Sequence, residues 1–153
     1  MNMIVLVRHG CYDHETGNLM REDAKKARAL GELLAKANIS ASPAIMTSPA
    51  KRTVQTANEI GKAFALKRAI QQFDGLNYSK TDLRPLIELI ERHSVTGEDL
   101  IMVTHAPLIA PLVAYFAREY GSAEGPMPKM VEPGQAILVD TRAQYGQIIS
   151  VPD

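Results

Sequence analysis

The sequence predicts a single-domain α/β protein of three layers, α/β/α, on a mainly parallel sheet with an antiparallel edge. Two observations carry this expectation. Short apolar runs, mostly β-branched, alternate with amphipathic helical patterns, the order that a parallel sheet covered on both faces requires. The chain then closes on two strand-like runs joined by a turn, Gln135 to Asp140 and Tyr145 to Val151, which supply the antiparallel edge. At 153 residues, with no linker, repeat or low-complexity stretch, it reads as one domain over 1–153, large enough to bury a core.

Each element has its own signal. Ile4 to Val7 is a short buried strand, and Gly10 is expected to turn the backbone sharply as the strand ends. After a polar turn, Cys11 to Asn18, a helical pattern sets Leu30, Leu33, Leu34 and Ala37 on one face and Lys25, Lys26 and Arg28 on another. Pro43 to Thr47 is a second strand. Ser48-Pro49 reads as a helix start, with serine as N-cap and proline as the first helical residue, and this helix runs to Ala63 or Ala65. Lys67 to Phe73 is a weaker third strand, and Asp82 to His93 an amphipathic helix carrying Leu83, Leu86, Ile87 and Ile90. Asp99 to Thr104 is a buried strand, a helix follows from Pro107 to Tyr120, and Gly121 to Pro133 is a loop.

Composition narrows the function. Lys+Arg and Asp+Glu both number 17, so no global field draws nucleic acid or an acidic membrane, and any positive potential is local. One cysteine excludes an internal disulfide framework and fits a reducing cytosol. The apolar run Met3 to Val7 makes a poor signal sequence, and no stretch approaches the ~18 apolar residues of a membrane span. The expectation is a cytoplasmic protein without nucleic-acid or membrane partners. Oligomeric state is not legible.

Three strand-to-helix junctions share one chemistry. Arg8-His9-Gly10 follows the first strand, where an open α/β sheet places its ligands, and pairs an arginine fork with an imidazole able to act as a nucleophile. In Ser48-Pro49-Ala50-Lys51-Arg52, Arg52 falls near a helix start whose free amides and dipole already favour an anion. Thr104-His105-Ala106-Pro107 puts a histidine between a buried strand and a proline-initiated helix. Each junction alone is explained by a capped helix or a solvated side chain. Together they bring Arg8, His9, Arg52 and His105 to the carboxyl edge of one sheet. Such a cation cluster suits a tetrahedral phosphoryl group.

These residues resemble the histidine phosphatase superfamily, the phosphoglycerate-mutase-like fold, over Ile4 to Leu112. Arg8-His9-Gly10 matches its opening triplet, Ser48-Pro49-x-x-Arg52-x-x-x-Thr56-Ala57 its second motif, and Thr104-His105 its last. The resemblance implies that His9 becomes phosphorylated while Arg8, Arg52 and His105 hold the phosphoryl oxygens. It also implies a general acid between the second and last motifs. There Asp74 is nearest the expected place, with Asp82 a second option more suited to capping the next helix. Cys11, Tyr12 and Asp13 replace the polar residues many members carry after the triplet, so substrate contacts there do not transfer. The chain lacks the long insert of the mutases and is similar in brevity to the small phosphohistidine-phosphatase branch.

Other candidates were weighed. Cys11 does not start a Cys-x5-Arg phosphatase loop, because position 17 is Gly. His14 reads as a solvated loop residue and His93 as a helix-terminal cation. No zinc spacing, Walker motif or dinucleotide fingerprint occurs, so no cofactor or metal is expected. The expected activity is therefore two-step phosphoryl hydrolysis through His9, with a phosphorylated protein or a small phosphorylated metabolite as partner. The alternatives are a silent phosphoprotein-binding module and a phosphomutase.

Overall fold

The computed structural model describes residues 3–77, 82–120, 131–141 and 145–149. Among the described residues six strands, β1 (Met3–Arg8), β2 (Ala44–Thr47), β3 (Gln71–Gln72), β4 (Leu100–Thr104), β5 (Ala136–Asp140) and β6 (Tyr145–Ile149), form one sheet in the order β3-β2-β4-β1-β5-β6. The first four strands of that order run parallel, and β5 and β6 pair antiparallel. Helices α1 (Arg21–Ala35), α2 (Lys51–Gly61), α3 (Arg84–Thr96) and α4 (Ala106–Tyr120) cover the faces.

The period-2 alternation of β1 divides the core. Ile4 and Leu6 join Leu86, Ile90, Leu112 and Phe116 beneath α3 and α4. Val5 and Val7 join Leu30, Leu34, Ala57 and Ile60 beneath α1 and α2. β4 divides in the same way, with Met102 on the first face and Ile101 and Val103 on the second. The three-layer architecture read from the sequence is the one observed.

Several local expectations are corrected. The third strand shrinks from Lys67–Phe73 to two exposed residues, Gln71 and Gln72, because only they pair with β2. Ser48 is not the N-cap of α2: the helix starts at Lys51 behind Ala50, with no side-chain cap, and the Ser48 hydroxyl is used elsewhere. Leu33 is 37% exposed, so the buried stripe of α1 runs through Ala27, Leu30, Gly31 and Leu34. α3 continues past His93 to Thr96 and stops at Gly97, whose φ of 79° suits glycine. Gly10 does not adopt a positive φ. A Cβ there would meet Asp23 Cβ at 2.7 Å, so glycine lets α1 approach the end of β1. Most of the loop placed at Gly121–Pro133 lies outside the described residues.

Candidate active site

The parallel ladder builds the site. Arg8 pairs with Thr104 across β1 and β4, and Thr47 with Val103 across β2 and β4. One further rung on each side, His9 N–H to Thr104 O (3.1 Å) and Ser48 N–H to Val103 O (3.2 Å), carries the register past the strand ends. His9, His105 and Ser48 therefore emerge side by side on three adjacent strands. Arg52 follows as the second residue of α2. The structure brings together the four residues expected from the sequence.

Hydrogen bonds orient both imidazoles. His9 Nδ1 lies 2.7 Å from Gly10 O, and a carbonyl only accepts, so Nδ1 carries the proton and Nε2 the lone pair. Arg52 Nε donates towards that Nε2 at 3.4 Å, and Arg52 Nη2 lies 3.5 Å from His105 Nδ1. The ring centroids of His9 and His105 are 5.1 Å apart, edge to face. Arg8 Nη1 donates to Val131 O at 3.0 Å, whereas its Nε is buried without a hydrogen-bond partner among the described residues. A buried guanidinium N–H with no acceptor is costly, and an anionic oxygen would satisfy it.

The electrostatics keep both histidines neutral. Burial lowers the pKa of His9, with Arg52 and Arg8 adding to the effect and the Gly10 carbonyl opposing it. Burial also pushes His105 down to about 3, helped by the nearby His9 and Arg52. A neutral His9 with a lone pair on Nε2 is a competent nucleophile. The two arginines stand ready for the negative charge of a ligand.

Some contributors were missed from the sequence. The Tyr12 ring lies under Arg52, with the guanidinium carbon 4.4 Å from its centroid, and meets His9 edge to face at 5.6 Å. Its loop is pinned to α2, because Gln55 Oε1 accepts Leu19 N–H (2.6 Å) and Gln55 Nε2 donates to Asn18 Oδ1 (3.0 Å). Ser48 Oγ lies 2.7 Å from His105 Nε2 and 2.5 Å from Thr53 Oγ1. Serine before proline is the usual sign of a cap, and that pattern concealed the contact with a residue 57 positions away.

Asp74 opens the 3₁₀ turn Asp74–Leu76, and its side chain is exposed. Phe73 N–H to Thr47 O (2.8 Å) extends the ladder just before it, and Thr104 Oγ1 donates to Leu76 O (2.7 Å) just after. Asp74 therefore stands on the sheet edge that carries His9 and His105. Asp82 accepts the Arg84 N–H and pairs with its guanidinium, holding the start of α3. Cys11 and His14 are exposed, and His93 Nδ1 contacts Leu89 O within α3. Among the described residues, no group of three His, Cys, Asp or Glu is placed to hold a metal ion, and no helix is long and apolar enough to cross a membrane.

An open α/β sheet that presents two arginines and an oriented, neutral histidine at its carboxyl edge suits an anionic ligand. The family model for the histidine phosphatase superfamily, branch 1, matches residues 4–78, which include Arg8, His9, Arg52 and Asp74. The chain resembles this superfamily over those residues, just under half of its length, and the match supports a phosphatase. Its fold is similar to that of the protein histidine phosphatase SixA complexed with tungstate, at 20% identity and a TM-score of 0.72, covering 96% of this chain and 94% of that one. It is also similar to the mycobacterial glucosyl-3-phosphoglycerate phosphatase complexed with VO3, at 17% identity and a TM-score of 0.65, covering 97% of both chains. Bacillus stearothermophilus YhfR is a third, at 15% identity and a TM-score of 0.66, covering 98% of this chain and 96% of that one. No curated protein sequence matches the chain.

Proposed function

We propose that the chain hydrolyses phosphorylated substrates through a phosphohistidine on His9, and that its substrate class is phosphohistidine on a protein. The observation that carries the proposal is the His9 ring, which is neutral, fixed through Nδ1 to Gly10 O, and turns Nε2 towards Arg52. In the first step Nε2 attacks phosphorus. The Nε2–P bond forms, and the bond to the leaving group breaks with its electron pair. In the second step water attacks the same phosphorus, the Nε2–P bond breaks, and phosphate leaves. Arg8 and Arg52 neutralise the equatorial oxygens throughout, by position and charge rather than by proton transfer. His105 joins them once it carries a proton.

Leaving-group chemistry separates the substrate classes. An alkoxide needs a general acid, worth roughly 10²- to 10⁴-fold, whereas a protonated phosphoramidate departs as an imidazole and needs little help. The Asp74 carboxyl stands exposed on its turn, where water competes for the leaving group's oxygen. This favours phosphohistidine, and the tungstate-bound SixA neighbour is a protein histidine phosphatase. The second reading is a small phosphomonoester, favoured by the place of Asp74 on the catalytic edge and by the sugar-phosphate phosphatase neighbour.

Steady-state kinetics on both substrate types tests the choice. Wild type is expected to prefer a phosphohistidine peptide to an alkyl phosphate, with Asp74→Asn nearly silent on the peptide. A higher kcat/KM for the alkyl ester, together with a fall of ~10²-fold on Asp74→Asn for that ester alone, would establish the second reading. Equal losses on both substrates would give Asp74 a structural role. A chain that binds phosphopeptide without releasing phosphate would be a binding module, and transfer to a second hydroxyl of the substrate would mark a mutase.

A further inference from the structure

We propose that Ser48 and Thr53 are positioning residues that lock His105 in its Nε2–H form, so that only Nδ1 meets a bound phosphoryl group and must gain a proton to do so. The proposal rests on the phosphoryl-binding reading of the site.

Counting protons in one hydroxyl chain carries the argument. Thr53 Oγ1 has a single proton, and it lies 2.8 Å from Ala50 O and 3.0 Å from Ser48 O, both of which only accept. Thr53 spends its proton there and must accept at its 2.5 Å contact with Ser48 Oγ. Ser48 then spends its own proton on Thr53, so at the 2.7 Å contact with His105 it accepts from Nε2–H. Ser48 and Thr53 are both 0% exposed, so bulk water does not reverse the order. A chain that ends on carbonyl oxygen has one direction.

The consequence falls on the opposite side of the ring. Neutral His105 presents a lone pair from Nδ1, the atom 3.5 Å from Arg52 Nη2. A lone pair repels phosphoryl oxygens, and the lock denies the ring the tautomer that would put a proton at Nδ1 without adding charge. Binding of a dianion is thus coupled to uptake of one proton, which forms the Nδ1–H donor to a phosphoryl oxygen. Burial, then His9 at the end of β1 and Arg52 on α2, disfavour that proton when the site is free, and Arg8 adds positive charge beside His9. The exposed Asp74 carboxyl lies on the turn packed against β4, and the first turn of α4, Ala106 to Ile109, carries no charge. The incoming dianion reverses the balance. Sequence alone assigned Ser48 to a helix cap, and Thr53 had no assigned role.

Imidazole nitrogen NMR on the ¹⁵N-labelled chain, combined with tungstate binding across pH, tests this. Tungstate stays a dianion over the working range, so any proton taken up belongs to the protein. Wild-type His105 is expected to show a protonated Nε2 and an unprotonated Nδ1. Its tungstate affinity should weaken by up to about tenfold per pH unit as pH rises, the slope of one linked proton. Ser48→Ala and Thr53→Val should populate the Nδ1–H tautomer and flatten the slope, while Thr53→Ser restores both signatures. A purely structural role would move stability and leave tautomer and slope unchanged. A wild-type His105 protonated at Nδ1 overturns the lock, whatever the variants do, so the test survives a variant that fails to fold. The Nε2–H form in a wild type that does not bind tungstate overturns the phosphoryl reading instead.

Discussion

Arg52 lies at the centre of the site: it stacks on Tyr12, reaches His9 Nε2 and approaches His105 Nδ1. Its planar fork can grip two phosphoryl oxygens at once, which a lysine cannot do with the same charge. Arg52→Lys is therefore expected to lower kcat/KM by roughly 10²-fold or more, with the circular dichroism spectrum unchanged. Activity within about twofold of wild type would show that charge alone suffices at this position. At this scale the sequence was informative about residues whose chemistry is unusual for their place. A histidine beside an arginine at a strand end invites a functional reading. Ser48, Thr53 and Tyr12 are ordinary at their positions, and their roles come from partners distant in sequence, as in the Ser48–His105 contact.

The α1–α2 layer positions Arg52, and its tightest point is Gly31. A Cβ on Gly31 would fall 2.5 Å from Ile60 O and 2.9 Å from Ile60 Cα, which are backbone atoms that cannot simply rotate away. Alanine in a helix interior gains up to about 1 kcal/mol over glycine, whereas overpacking of this kind costs about 1–3 kcal/mol. Gly31→Ala is expected to lower Tm by a few degrees in a thermal melt, and an unchanged or raised Tm would show that the helices separate without cost. Element order was legible because alternating apolar runs mark strands and wider spacing marks helices. Lys67–Phe73 failed because its apolar residues serve different faces, Ile70 packing on the core beneath α1 and α2 and Phe73 on the core beneath α3 and α4, while only the exposed Gln71 and Gln72 pair with β2. The start of α2 failed because the serine expected as its cap is held by His105 instead.

For the whole molecule, the neutral histidines carry a stability consequence. In the unfolded chain both titrate near 6.5, whereas in the native state His105 holds off its proton until about pH 3 and His9 is also lowered. Below pH 6.5 the unfolded chain binds more protons than the native one, so stability falls as pH drops towards 3 and is fully present above 6.5. Thermal melts in chloride buffer should show Tm falling from pH 7 to about pH 4.5, with a shallower fall for His105→Asn or in the presence of tungstate. A profile unaffected by either change would remove His105 from this balance.

The three-layer fold and the convergence of Arg8, His9, Arg52 and His105 were legible because the topology was. Parallel strands of matched register deliver their carboxyl ends to one edge. The proton positions on that edge were not legible, since they depend on hydrogen bonds between neighbouring strands. The central claim, that His9 carries the phosphoryl group, is tested most directly by trapping it. Brief reaction with a ³²P-labelled phosphohistidine peptide, followed by a denaturing alkaline quench and peptide mapping, should place an acid-labile, base-stable label on His9 and leave His9→Ala unlabelled. Label that persists in His9→Ala, or that maps to Cys11, would contradict the account.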